Sequence, residues 1–422
     1  MKKKKHIIIG CGTAALSALK QIRKTGCEDD VTVLTMEHYA PYSPMSLPYL
    51  VSERIQQSNI QMVPDDFFDH MKATFIQGKK VVGIAPGEKK IVYEKGKSDS
   101  YDRLLITTGS DPIVPSLLQK AGGIGFHVMD DYLALVQQLK RKKKVAVLGA
   151  GLVAMELAAA LKEQGHEVHV IAPRERILRN YFDIEASSRI LDLFAHSGVS
   201  INLEWGEATA AERTKSDIHI HFGHDKTIAT EILLVCIGVK PRVSCLTGSG
   251  IDVYGGVVVD RQMRTNIPNI FAAGDVAEAA NFFTGQLGLN PILPNAVSQG
   301  KVAGSTMADQ HAEYEGWMPM NTFNFFGHLA TSIGKTVPSE GDEVLIEKDK
   351  GNGYYRKIIC KDNRLLGAAF LDTDIDAGVI QYLIRKKTNI GPYKEMLLQK
   401  PREVSLWLMN EAEKNETISQ EK

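Results

Sequence analysis

Apolar and polar positions fall into blocks along the chain, and the period of those blocks changes from strand-like to helical and back. "HIIIGCGTAALSALKQI" opens as a short apolar strand, turns at two glycines and continues at helical spacing. "VTVLTME" follows as a second strand. The same order returns in "KVAVLGAGLVAMELAAALKEQGHEVHVIAP": buried strand, glycine turn, helix, strand. "YDRLLITTGSDPIVP" and "TEILLVCIGVKPRV" each read as a buried strand that meets a glycine and then a proline-punctuated crossing. "GGVVVDRQMRTNIPNIFAAGDVAEA" is a strand running into Ala273-Gly274-Asp275. "DIHIHFGHD" alternates as one strand of a β-meander. From about Asn321 the pattern shifts again. "TFNFFGHLATSIGK" reads as a strand, "YYRKIICKDNRLLGAAFLD" as a strand pair about a "KDNR" turn, and "AGVIQYLIRKK" as a helix. The closing "NEAEKNETISQEK" is polar and expected to fray.

These elements predict an α/β protein with two Rossmann-like dinucleotide-binding domains, the second inserted in the first, followed by a C-terminal α+β domain. The expected divisions are 1–112 with 250–320 for the first domain and 113–249 for the second. The third spans 321–410, and 411–422 is a polar tail.

The glycines give the strand–helix units their chemistry. Gly10-x-Gly12-x-x-Ala15 and Gly149-x-Gly151-x-x-Ala154 each sit between a strand and a helix. Glycine lets the backbone turn tightly and approach a pyrophosphate, a small third residue lets helix and strand pack closely, and the helix amides face the phosphate charge. Glu37, after the second strand, could accept ribose hydroxyls. One such motif is weak evidence; two in this context mean two dinucleotides.

Composition then narrows the function. In 422 residues, Lys plus Arg and Asp plus Glu both number 50, so nothing in the balance points to nucleic acid or a membrane surface. The N-terminal "MKKKKHIIIG" imitates a secretory signal but reads as the first strand, with a cytoplasmic setting expected. No stretch reaches the roughly 20 apolar residues of a membrane span. The five cysteines, Cys11, Cys27, Cys236, Cys245 and Cys360, show no CxxC spacing. That argues for reduced thiols and no metal site. His219, His221 and His224 read as strand histidines rather than metal ligands. The basic run Lys140–Lys144 reads as a solvated loop.

Together, the two glycine motifs, "TTG", "IGVKP" and "NIPNIFAAGDVA" resemble the pyridine nucleotide-disulfide oxidoreductase superfamily over about residues 6 to 310. The resemblance implies FAD on the first domain, held by Gly10, Gly12, Ala15, Glu37, Thr108, Gly109, Gly274, Asp275 and Ala296. The helix near "PNAVSQGKVAG" would aim its N-terminus at the flavin pyrimidine edge. It implies a nicotinamide dinucleotide on the second domain, at Gly149, Gly151, Ala154, Arg174 and Gly238. An acid seven residues after Gly149, Glu156, matches the family's catalytic acid near nicotinamide and flavin; an ordinary helix-face carboxylate is the competing reading. Arg174 and Arg176 leave NADP(H) open, although NAD(H) is the expected nucleotide.

The loop "YSPMSLPYL" sets the branch. Thiol-using members carry a cysteine beside the flavin, in a "CGLPY" loop for example, and here Met45 holds that slot. A thioether cannot ionise or form a disulfide, which argues against disulfide, peroxide and coenzyme A disulfide reduction. Met45 is expected to face the flavin, packing rather than reacting. The loop also resembles "PYxRxxLS" of the rubredoxin, ferredoxin and nitrite reductase branch, but no Lys or Arg lies between Met45 and Glu53. The last hundred residues resemble that branch's C-terminal domain, which covers the flavin and makes subunit contacts.

The resemblance thus implies an FAD-dependent NAD(P)H:acceptor oxidoreductase exchanging electrons with an iron–sulfur or ferredoxin-like subunit or carrier. It also implies an oligomer or heteromeric complex. The wider loop "YAPYSPMSLPYLVS" is similar to that of the NAD-reducing flavin subunits of 2-oxoacid dehydrogenase complexes of the phenylglyoxylate type. A stand-alone NADH:rubredoxin or NADH:ferredoxin reductase and a non-catalytic FAD-bound assembly or sensor subunit are the alternatives.

Overall fold

The computed structural model describes residues 3–420 apart from His224, Lys350 and Asn352. The chain divides into two compact units, one of residues 1–50, 55–111 and 239–318, the other of 51–54, 112–238 and 319–422.

In the first unit, five parallel strands form one sheet in the order Ile270–Ala272, Arg103–Ile106, Lys5–Ile9, Asp30–Leu34, Ala73–Ile76. Ile7, Ile8, Val33, Leu104 and Leu105 are buried because the sheet is covered on both faces, as continuous apolar strands require. The register sets Ile9 beside both Leu34 and Ile106. The carboxyl ends of the central strands therefore finish level, where an α/β sheet opens a ligand crevice. The Thr13–Lys24 helix packs against the Leu293–Met307 helix. A Cβ on Gly300 or Gly304 would run into the carbonyl oxygens of Ala14 or Ala18, so only glycine permits that approach.

In the second unit, a parallel sheet runs Ser200–Asn202, Glu167–Ile171, Lys144–Leu148, Ile232–Val235. The Leu152–Glu163 helix follows its central strand. The meander is present, with strands at Ala208–Arg213, Ile218–Phe222 and Thr227–Thr230. His219 and His221 lie on its middle strand, half-buried, and His221 meets the Thr227 hydroxyl at 3.1 Å. His224 lies outside the described residues.

Residues 319 onward add a five-stranded antiparallel sheet to this unit, and here the structure corrects three expectations. "TFNFFGHLATSIG" is not one strand but a hairpin, Met320–Phe325 and His328–Gly334, because Phe326 (φ 48°) and Gly327 (φ 83°) turn left-handed in the middle. An unexpected edge strand, Glu343–Lys348, pairs with Tyr355–Lys361. Residues 411–420 are not a separate tail but continue the Pro401–Gln420 helix, which Val404 and Leu408 anchor; the last two residues lie outside the described ones.

Candidate functional site: two glycine cradles

Each glycine motif forms an open cradle. Gly10 and Gly149 hold φ of +107° and +113°, and a Cβ at either would collide with a backbone carbonyl, of Thr107 or Cys236. Gly12 and Gly151 N-cap the following helices with no side-chain cap, and a Cβ there would meet nothing within 4 Å. Among the described residues no side chain caps these first-turn amides, and the space beside the glycines is open, as a diphosphate requires.

Around the first cradle the structure gathers most of the residues assigned from sequence. Glu37 follows the second strand and accepts the Tyr42 hydroxyl at 2.7 Å, which orients its carboxylate. Gly274 comes within 3.1 Å of the Ala14 methyl, measured from an ideal Cβ, and Ala273 donates to Ile106. Asp275 accepts the Ser110 hydroxyl at 2.9 Å. Thr108 donates to the Arg242 carbonyl at 2.7 Å. Ala296 is buried in the first turns of the Leu293–Met307 helix, whose first turn holds no acidic residue to offset its dipole.

Three contributors escaped the sequence reading. Gln299, 4% exposed, accepts the Gly274 amide at 2.8 Å and so fixes the AGD turn against the helix. Arg242 reaches Asp111 at 2.8 Å and the Thr108 carbonyl at 3.0 Å, bracing Thr107-Thr108-Gly109. Tyr42 is the third. Only the "QGKVAG" glycine spacing hinted at any of them.

The loop bearing Met45 is tied beside this cradle. Ser43 and Met62 donate to Ile60 and Pro41, and the Thr13 hydroxyl approaches the Met62 sulfur at 3.9 Å. Met45 lies on the surface of this loop. The tight turn at Pro44–Ser46 leaves it 55% exposed while Leu47 takes the buried position. All five cysteines are free. Burial pushes the thiols of Cys11 and Cys236 up to about 12 and that of Cys360 to about 11, and raises those of Cys27 and Cys245. None is an available thiolate near neutral pH.

At the second cradle, the 173–183 segment folds back over the glycine turn. Leu178, at φ 50°, donates to the Ala150 carbonyl at 2.8 Å, and Ile177, Leu178 and Phe182 are buried. At the start of the segment a cavity of about 440 Å3 is lined by Pro173, Arg174, Glu175, Glu204, Trp205, Gly206, Glu207, Thr209 and Gly223. It lies just past the carboxyl end of Glu167–Ile171, where the ribose acid of a dinucleotide site is found. Arg176 is not part of it: its guanidinium turns back to the Arg179 carbonyl at 3.0 Å. Gly238 (φ 132°) lies beyond the end of the outer strand Ile232–Val235, and its carbonyl accepts from the Ile113 amide at 2.9 Å. Ala154 is fully buried, as its packing role demands. Glu156 projects from the same helix, half-buried, and burial raises its carboxyl to about 7. Tyr181 lies close enough that burial and the Glu156 charge together raise its phenol.

No helix among the described residues is long and apolar enough to cross a membrane.

The comparisons with known proteins agree with this geometry. Residues 4–303 match the family model for pyridine nucleotide-disulphide oxidoreductases, and 319–388 match that for the rubredoxin NAD+ reductase C-terminal domain. The chain is 33% identical over 413 residues to the NADH-dependent phenylglyoxylate dehydrogenase subunit epsilon of Aromatoleum evansii, covering 96% of this chain and 97% of that one. It is 27% identical over 305 residues to the rubredoxin-NAD(+) reductase of Pseudomonas putida, covering 71% and 79%. Putidaredoxin reductase, solved in covalent complex with putidaredoxin, shares the fold with a TM-score of 0.85 at 17% identity, covering 94% and 96%. Members of the matched family are flavin-dependent NAD(P)H oxidoreductases. The chain belongs to the pyridine nucleotide-disulphide oxidoreductase family.

Proposed function

We propose that this flavin-dependent NAD(P)H oxidoreductase is the NAD-reducing subunit of a 2-oxoacid dehydrogenase complex of the phenylglyoxylate type, exchanging electrons with iron–sulfur partner subunits. The observation that carries the reading is the pairing of two open glycine cradles with five unpaired thiols whose pKa burial raises, and a methionine in the loop beside the first cradle. Electrons brought by a nicotinamide then have no sulfur relay inside the chain and must pass to an outside carrier. The near full-length similarity to the epsilon subunit supports the complex.

FAD supplies the chemistry of hydride exchange when bound. The chain's own part is to seat two diphosphates on uncapped helix amides and to hold a carboxyl, Glu156, that changes protonation near neutral pH. The cavity beside Arg174 supports NAD over NADP. Three carboxylates, Glu175, Glu204 and Glu207, line it against one guanidinium, Arg174. They suit ribose hydroxyls and repel a 2′-phosphate.

Native purification under argon tests the reading: cluster-bearing chains should co-purify, and NADH should bleach the yellow flavin in anaerobic stopped-flow mixing. The match of 319–388 to the rubredoxin NAD+ reductase C-terminal domain favours a second reading, a stand-alone reductase with a diffusing carrier. That protein would be isolated alone and be active once rubredoxin or ferredoxin is added. A flavin that NADH does not bleach would contradict both.

A further inference from the structure

We infer that Lys357, on a strand of the C-terminal sheet, is a positioning residue for the nicotinamide nucleotide site, acting through Asp183. The inference rests on the reading that the second cradle binds NAD(H).

The 173–183 segment has three fixed points. It begins at the cavity beside Arg174, is tied at its middle by the Leu178 amide to the Ala150 carbonyl inside the glycine turn, and ends at Asp183. Asp183 N-caps the Ile184–His196 helix, accepting the Ala186 amide at 2.9 Å. It also accepts the Tyr355 hydroxyl at 2.7 Å and the Lys357 ammonium at 2.6 Å. Lys357 is 4% exposed, and its remaining contact is the Thr336 carbonyl at 3.1 Å. Burial would raise the Asp183 carboxyl, but the Lys357 hydrogen bond, the Ala186 amide, Tyr355 and the lysine charge hold it below the ordinary range.

A buried lysine on an antiparallel strand is unusual. This one spends its charge on one carboxylate, two residues from Tyr181, whose phenol senses Glu156. The far end of the nucleotide segment is therefore pinned from the C-terminal sheet. Without the pin, the segment samples more arrangements, and the affinity for nucleotide falls by the fraction of chains that remain competent to bind. Chemistry after binding is untouched, because Lys357 does not reach the glycine cradle. The sheet also grips the same helix through Lys348 to Glu185 at 3.2 Å, so the Ile184–His196 helix keeps a second tether when Lys357 is changed.

The test uses the full FAD-loaded chain, NADH titration and anaerobic stopped-flow reduction. Lys357→Met should raise the Kd for NADH by about tenfold, with the limiting rate of flavin bleaching and FAD retention within about twofold of the unaltered protein. Tyr355→Phe, which leaves the charge pair intact, should raise Kd by about two- to threefold and keeps the test open if Lys357→Met does not fold. Lys394→Met, which breaks the ion pair with Glu343 in the same sheet, should leave Kd unchanged. An unaltered Kd in Lys357→Met or Tyr355→Phe, or an equal rise in Lys394→Met, overturns the inference alone. An unaltered protein that does not bind NADH overturns the reading beneath it as well.

Discussion

Replacing Glu156 by Gln isolates a carboxyl near the second cradle that burial raises into the physiological range. Burial raises it from the ordinary 4.5 to about 7. A carboxyl that binds its proton more tightly in the folded state penalises folding once the unfolded chain has released that proton. Stability attributable to Glu156 therefore falls as pH rises through the window from 4.5 to about 7, and the penalty is complete above it. The difference corresponds to at most about 3 kcal/mol; since the side chain keeps some contact with solvent, about 1–3 kcal/mol is the working range. Glutamine has nearly the same shape and no ionisation. Thermal melts of the FAD-loaded protein should show Glu156→Gln within error of the parent near pH 5 and more stable by a few degrees near pH 8. The rate of flavin reduction by NADH should also lose an inflection near neutrality, where the raised Glu156 carboxyl titrates. Parallel melting curves for the two proteins from pH 5 to 8 would refute the burial argument.

Met45→Cys should leave NADH-dependent dye reduction within about twofold of the parent, since the proposed route for electrons does not pass through that side chain; loss of most activity would show that the loop carries chemistry beyond shape. NADH should bind more tightly than NADPH, and Glu204→Gln with Glu207→Gln should narrow the gap by about fivefold per residue, about 1 kcal/mol for each carboxylate facing a 2′-phosphate across water. Equal binding of both nucleotides to the parent removes that assignment. Gly300→Ala forces a methyl into the Ala14 carbonyl and should destabilise the first unit by about 1–3 kcal/mol, read as FAD loss at lower temperature on heating. A change at Gly12 to Ala, where nothing lies within 4 Å, should spare the melting temperature of the FAD-free chain while weakening FAD binding.

What could be read from the sequence was whatever depends on local spacing. The two cradles, the strand-to-acid interval ending at Glu37 and the return of the chain through "FAAGDVA" all follow from glycine geometry and apolar runs, which need no knowledge of distant partners. The residues that escaped take their roles from such partners. Gln299 looks like a surface glutamine until the Gly274 amide is opposite it. Lys357 sits in "YYRKIICK", where a lysine ordinarily marks a solvated face. The hairpin at Phe326–Gly327 hid inside the Phe-rich stretch "TFNFFGH", and "DEVLIEK" is too short and too charged to announce an edge strand. The exposure of Met45 is set by the turn at Pro44–Ser46, which a local apolar count does not reveal.

The pairing of Ile113 with Gly238 has a consequence for descent and engineering. The two crossings run side by side, their ends joined by a 2.9 Å hydrogen bond, so the inserted nucleotide module enters and leaves through a single doorway. Abutting ends favour exchange of such a segment by recombination, but a foreign counterpart would have to bring its own C-terminal sheet, or lose the Lys357–Asp183 and Lys348–Glu185 pairs.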